Sequence, residues 1–316
     1  MTLSKRLAAL AALALGSVAL QGQGPEAQPL NMPTNFVLHT IKEGKLYWVE
    51  TNVPDMGIII GDTGVILIDT GSSGKDLADV VAKVTNKPIT TVIETHDDTD
   101  HINGLYTLPG SDKFKIIAHE QNWQNQWRNS RMLAIGAKCP ANPMPPMPNV
   151  FIKKDKVDTH IDGVHIVLHH FGPSHTNGDL IIELPDYKVA FIGDIAMDKD
   201  MSKTGQDHNM FWKHEKGGTP TGFFHNVDEL MKLPVTGFVS GHSSHLMSKD
   251  DVRHVRDGVK SDYEKVAQMT RDGKTLDEVQ IAMGEDKFKP RGGCVQYMTL
   301  PWFAWNETKR NMEELK

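Results

Sequence analysis

From Phe36 onward the chain alternates short apolar runs with polar breaks marked by Gly, Pro or Asp. Gly57-Ile58-Ile59-Ile60 and Val65-Ile66-Leu67-Ile68 flank Gly61-Asp62-Thr63-Gly64, which predicts a buried hairpin. After Gly74, Leu77, Val80, Val81 and Val84 recur at the spacing of one helical face. Lys87-Pro88 breaks that helix, and Thr91-Val92-Ile93-Glu94 reads as a buried strand. A second helix is expected over residues 120–133, with Trp123 and Trp127 four apart on one side. Five prolines between Cys139 and Asn149 dictate an extended loop. Val164 to Phe171 predicts a strand, and the runs either side of Pro185-Asp186-Tyr187 a hairpin ending in Gly193-Asp194. Gly237 to Ser240 is a further short strand. From Lys249, Val252, Val255, Val259, Tyr263, Val266 and Met269 mark a long helix, and Thr275 with Glu278 a capped helix start.

The amino terminus breaks this rhythm. Lys5-Arg6, an uncharged Ala/Leu-rich run from Leu7 to Leu20 and a polar exit form the pattern of a secretory signal peptide. We therefore expect a signal peptide over residues 1–23, a linker over 24–35 and one domain over 36–316 with a helical C-terminal part. The protein would be exported, periplasmic or secreted. The apolar run is too short for a stable membrane span, so no membrane insertion is expected after the leader is removed. Cys139 and Cys294 are the two cysteines, and a disulfide between them or two free thiols are both open. A formal charge of −6 without a basic stripe argues against a nucleic-acid partner. The oligomeric state is not legible.

The chemistry concentrates in Thr95-His96-Asp97-Asp98-Thr99-Asp100-His101, directly after a predicted buried strand. Histidines and carboxylates at a strand mouth can chelate a cation, whereas without one several buried carboxylates would repel. The bland alternative is a solvated acidic loop. Three further strand or hairpin ends supply matching residues, at His175, Asp194 and His242, and Asp69 ends another strand as a supporting acceptor behind the ligands. His169 and His170 read as alternating strand positions, His160 and His165 as surface, and His119 as a bland strand end. His245 sits three residues after His242 and fits either a place behind the ligands or lining a pocket, or a simply exposed position. In the loop from Met197 to His225, Trp212 and Phe223 fit either a flap over the site or aromatics pinned to the core.

In order, His96-x-Asp98-x-Asp100-His101, His175, Asp194 and His242 resemble the metallo-β-lactamase fold superfamily, whose usual motif is H-x-H-x-D-H followed by a His, an Asp or Cys, and a His. Ile68-Asp69-Thr70-Gly71 resembles the family's strand-end Asp. The resemblance implies an α/β fold, an αββα sandwich of two mixed sheets with helices outside. It further implies two divalent metal ions, with His96, Asp98 and His175 holding one, Asp100, His101 and His242 the other, and Asp194 between them. Zinc comes first, with iron or manganese as alternatives because Asp98 stands where the family usually has His. Asp100 would orient the attacking water and handle its proton. The implied activity is hydrolysis of an ester, lactone, amide or related bond of a small-molecule substrate, with β-lactam hydrolysis as an alternative. A reading of another class is a periplasmic metal-binding accessory protein of a redox system.

Overall fold

Alternation along the strands sorts side chains onto two faces and so into separate cores. Leu46 and Trp48 point one way and Tyr47 and Val49 the other, as do Ile66 and Ile68 against Val65 and Leu67. The computed structural model describes residues 36–52, 54–126, 146–199, 210–285 and 298–314. The expected leader and linker, Trp127, both cysteines and part of the loop from Met197 to His225 lie outside these residues.

The first sheet has seven strands in sequence order: β1 (Val37–Lys42), β2 (Leu46–Glu50), β3 (Met56–Ile60), β4 (Val65–Ile68), β5 (Ile89–Ile93), β6 (Lys115–His119) and β7 (Val150–Ile152). The pairs from β1 to β4 are antiparallel and those from β4 to β7 parallel. Helix α1 (Gly74–Val84) makes the crossover from β4 to β5, capped by the Ser73 side chain on the Asp76 amide. The second sheet runs β13 (Gly237–Ser240), β11 (Val189–Gly193), β10 (Ile181–Leu184), β9 (Val164–His169) and β8 (Lys156–Ile161), while β12 (Phe211–Trp212) pairs separately with Met298–Thr299. Here β11 and β13 are parallel and the other pairs antiparallel.

Three apolar clusters separate four layers. One fills the space between the sheets, with Ile59, Ile66, Ile93 and Ile117 from the first meeting Ile166, Leu168, Ile182 and Phe191 from the second. The second packs the outer face of the first sheet on Leu77, Val80 and Val81 of α1. The third packs the outer face of the second sheet against the helices Pro220–Lys232, Lys249–Arg271 and Leu300–Glu314. This is the expected αββα sandwich of two mixed sheets. The long helix begins at Lys249 with a complete capping box, Ser248 and Asp251 each accepting the other's backbone N–H, and Thr275 with Glu278 builds the same device. Residues 120–126 of the expected second helix are helical, and Trp123 rests on Phe151.

Strand direction fixes where chemistry can gather. β9 and β11 are each antiparallel to β10, so they run the same way, and β13 follows β11. The loops after β9, β11 and β13 therefore leave one edge, where they meet the loops after β4 and β5 of the first sheet.

Candidate metal centre

The local chain path explains the spacing of the first four site residues. After β5 the chain bends at Thr95 and is extended again at Asp98, which leaves His96 Nε2 3.8 Å from Asp98 Oδ2. Asp98 then starts the short helix Thr99–Ile102, which swings Asp100 and His101 to the neighbouring position. The His101 carbonyl accepts from the Thr70 and Gly71 amides and the Thr70 hydroxyl, tying this turn to the end of β4.

Two groups result. His96, Asp98, His175 and Asp194, all buried, bring one ligand atom each within 4.8 Å of one another, and Asp100, His101 and His242 do the same. Asp194 reaches both: Oδ2 lies 3.8 Å from His96 Nε2, 3.7 Å from His175 Nε2 and 3.4 Å from His242 Nε2, while Oδ1 is 3.2 Å from His101 Nε2. All seven residues expected as ligands thus converge on one edge. His96 Nε2, His101 Nε2 and Asp194 Oδ1 are buried with no aligned hydrogen-bond partner. Bare buried polar atoms of this kind are expensive, and imidazole nitrogen with carboxylate oxygen is the donor set divalent metals take. The residues therefore fit a divalent cation.

The supports behind them are also built. Asp69, at φ 58°, accepts from the Thr95 amide (2.8 Å) and hydroxyl (2.7 Å) and contacts His101 Nδ1 at 2.8 Å. The Thr95 hydroxyl also lies 3.0 Å from His96 Nδ1, so one carboxylate orients two rings, as expected of Asp69. In the His175 loop, Asp179 accepts from the Thr176 amide and hydroxyl. Gly241 is required by close approach: a Cβ there would sit 2.2 Å from Asp194 Oδ1 and 2.7 Å from His101 Cε1.

Charges in the centre are mutually held. Burial opposes ionisation of Asp194, but His242, His101 and His96 hold its carboxyl well below the usual range. Burial likewise works against the ionised form of Asp100, which His101 and His242 bring down to about 2. His242 would be lowered by desolvation, yet Asp194 and Asp100, each 3.4 Å away, push it up to about 10. A histidine raised in the folded state stabilises fully below its ordinary value of 6.5, and that contribution is lost as pH climbs through about 10. Chelator-treated protein should therefore lose thermal stability between about pH 6.5 and 10, while metal affinity rises over the same window because the ligands must be deprotonated. A thermal midpoint of the metal-free protein that stays level across that window would count against the His242 ion pairs.

The structure adds two residues the sequence did not single out. Lys213 and Lys216 are buried, and their ammonium groups meet Asp98 on its two oxygens, Lys213 Nζ at 2.9 Å from Oδ2 and Lys216 Nζ at 2.7 Å from Oδ1. Lys216 also meets the Asp97 carboxylate at 2.9 Å and carbonyl at 3.1 Å. Burial opposes the charged form of Asp98, but the two lysines keep its carboxyl well below the usual range.

The structure also places the other residues for which the sequence left more than one reading open. Trp212 and Phe223 are fully buried and pack edge-to-face on each other, with Phe303 against Trp212. They pin their segment to the outer core and do not form a flap. His245 is exposed and pairs with Asp198 at 3.0 Å and Asp251 at 3.3 Å. His169 pairs across strands with Glu183 at 2.7 Å, and His119 stacks on His170 at 3.8 Å.

Comparison with known proteins places the site in context. The family model described as the metallo-beta-lactamase superfamily matches residues 52–242, which contain all seven converging residues. The alpha subunit of 2,4-dinitroanisole O-demethylase from Nocardioides sp. (strain JS1661) is 26% identical over 208 residues, covering 63% of this chain and 55% of that protein. A linear primary-alkylsulfatase from Pseudomonas sp. (strain ATCC 19151) is 22% identical over 254 residues, covering 68% of this chain and 47% of that protein. The chain thus spans about half the length of these relatives. Among solved structures, a stereoselective inverting sec-alkylsulfatase from Pseudomonas sp. superposes with a TM-score of 0.61 at 19% identity, over 89% of this chain and 52% of that one. A metallo-beta-lactamase from Pontibacter korlensis gives 0.53 at 16% identity, over 70% and 97%.

Proposed function

The chain belongs to the metallo-beta-lactamase superfamily, and from that premise we propose that it is an exported metal-dependent hydrolase of small molecules, acting on an ester, lactone, sulfate ester or related bond. The observation that carries this reading is the position of Asp194, whose two oxygens face both groups of ligands. We assign His96, Asp98 and His175 to one divalent cation, Asp100, His101 and His242 to a second, and Asp194 to both. Zinc is the first choice, with iron or manganese as alternatives on account of Asp98. When bound, two such ions supply Lewis-acid polarisation of the substrate and bring the pKa of a water toward neutrality.

The protein's own groups divide the remaining work. Asp100 has a side chain 30% exposed, against 6% for Asp98 and 2% for Asp194, so it is the carboxylate facing the open side. Held ionised in the metal-free state, it accepts a hydrogen bond and orients the attacking water. Asp69 and Thr95 keep His101 and His96 from rotating, which preserves the geometry between turnovers.

The matching relatives named as an O-demethylase and an alkylsulfatase favour a bond to an alkyl or aryl oxygen over a β-lactam amide. No helix among the described residues is long and apolar enough to cross a membrane. Export rests on the leader-like first 23 residues.

Purified protein should be assayed against p-nitrophenyl acetate, a simple lactone, p-nitrophenyl sulfate and a chromogenic cephalosporin. We expect turnover of an ester, lactone or sulfate ester that disappears with chelator and returns with zinc or manganese. Tight metal uptake with no turnover of any of these classes would replace the hydrolase by a metal-binding accessory protein, and turnover confined to the cephalosporin would make it a β-lactamase.

A further inference from the structure

Asp98 is held from two directions. Its Oδ2 lies 3.2 Å from His175 Nε2 and 3.8 Å from His96 Nε2, facing the centre, yet it also meets Lys213 Nζ at 2.9 Å. Its Oδ1 meets Lys216 Nζ at 2.7 Å. The lysines are fixed by backbone, not carried on a loose side chain alone. The Lys213 amide donates to the His175 carbonyl (3.0 Å), the Asn177 amide to the Lys216 carbonyl (2.7 Å) and the Thr219 amide to the Ser174 carbonyl (2.8 Å). The segment bearing both ammonium groups is thus laced onto the loop bearing His175. Lys216 donates to Asp98 Oδ1 and the Asp97 carbonyl and also pairs with Asp97 Oδ2 at 2.9 Å. On the other side of Asp194, the ion pairs of Asp100 among the described residues are with His101 and His242 only.

Two neighbouring halves of one centre therefore offer a cation unlike surroundings. On one, the carboxylate already meets two buried ammonium groups at fixed positions, while on the other its ion pairs among the described residues are with imidazoles. A divalent ion entering the first half must share Asp98 with ammonium groups that keep their charge, and like charges a few ångströms apart in a buried site repel strongly. We propose that Lys213 and Lys216 make the two halves unequal, so that the Asp100–His101–His242 half with Asp194 fills first and tightly, and the His96–Asp98–His175 half fills last and weakly. This rests on the two-cation reading above. The lysines would set how much free metal the protein needs before its centre is complete.

The test is binding, independent of turnover. The metal-free full chain is titrated with Zn²⁺ by calorimetry, and retained metal is counted by mass spectrometry after dialysis at fixed free Zn²⁺. The wild type should show two steps separated by at least about tenfold in affinity. His242→Ala should remove the tight step and His175→Ala the weak one. Lys213→Met and Lys216→Met should strengthen the weak step about tenfold while lowering the thermal midpoint of the metal-free protein, because Asp98 loses a partner. Lys213→Arg, which keeps the charge, should keep the steps apart.

Two equal steps in the wild type would overturn the proposal, and so would a weak step that His242→Ala removes. These two readouts need no lysine variant and decide the matter if the methionine variants do not fold. A weak step unmoved in folded Lys213→Met and Lys216→Met also overturns it. Absence of Zn²⁺ binding in every protein would instead overturn the two-cation reading itself.

Discussion

Replacing Asp194 by Asn should strip the centre of tight metal binding and lower metal-dependent turnover by on the order of 10³-fold, equivalent to about 4 kcal/mol. The substitution keeps shape and removes charge at the one side chain that reaches His96, His101, His175 and His242 together. Each half of the centre loses a donor, so the effect should exceed that of any ligand belonging to one half. The metal-free protein should change as well. Asp194 heads the favourable partners that raise His101 and His242 against the opposing pull of desolvation, so those rings should titrate lower in the variant. Metal content of the purified variant, its turnover and the NMR titration of its histidines check this. Full metal content with undiminished turnover would remove Asp194 from the centre.

The second large effect concerns Asp98. Restoring the histidine usual to the superfamily looks like a repair that should favour zinc, but Asp98→His should instead destabilise the protein by about 3–5 kcal/mol. Lys213 and Lys216 are buried against the Asp98 oxygens, and the change strands those ammonium groups without their carboxylate. Lys216 keeps Asp97, so the greater loss falls on Lys213. Thermal denaturation should drop by roughly 5–15 °C. Adding Lys213→Met should recover a substantial part, because the stranded charge is then gone. A single variant within about 0.5 kcal/mol of wild type would show that the lysines do not depend on Asp98.

These two residues also show what the chain disclosed in advance. His96, Asp98, Asp100, His101, His175, Asp194 and His242 were legible because each follows an apolar run that reads as a strand, and strand ends of a layered α/β fold meet at an edge. The sheets were legible for the same reason: strands buried on both faces read as unbroken runs such as Val65-Ile66-Leu67-Ile68. Lys213 and Lys216 were not, since nothing local distinguishes a lysine that will be buried 115 residues or more from its carboxylate from one left in water. Trp212 and Phe223 were ambiguous because an aromatic run in a loop serves a flap and a core anchor equally. Burial decides, and burial comes from Phe303 in a helix near the carboxyl end. His245 shares a loop with His242, but Asp198 and Asp251 draw it outward.

The ion pairs of Lys216 join positions 119 and 118 residues apart in the chain, and this has a consequence in time as well as in space. While the protein is being made, Glu94, Asp97, Asp98 and Asp100 emerge well before Lys213, Lys216, His175 and His242. The first sheet can pair its strands early, yet its rim then carries a knot of acid with only His96 and His101 beside it. Only when the second sheet docks do Lys213, Lys216, His175 and His242 arrive together. Closure of the two halves is therefore rewarded in a single late step, and contacts of such long range make that step the slow one. A refolding experiment should find the rim formed last, in the same phase that joins the sheets.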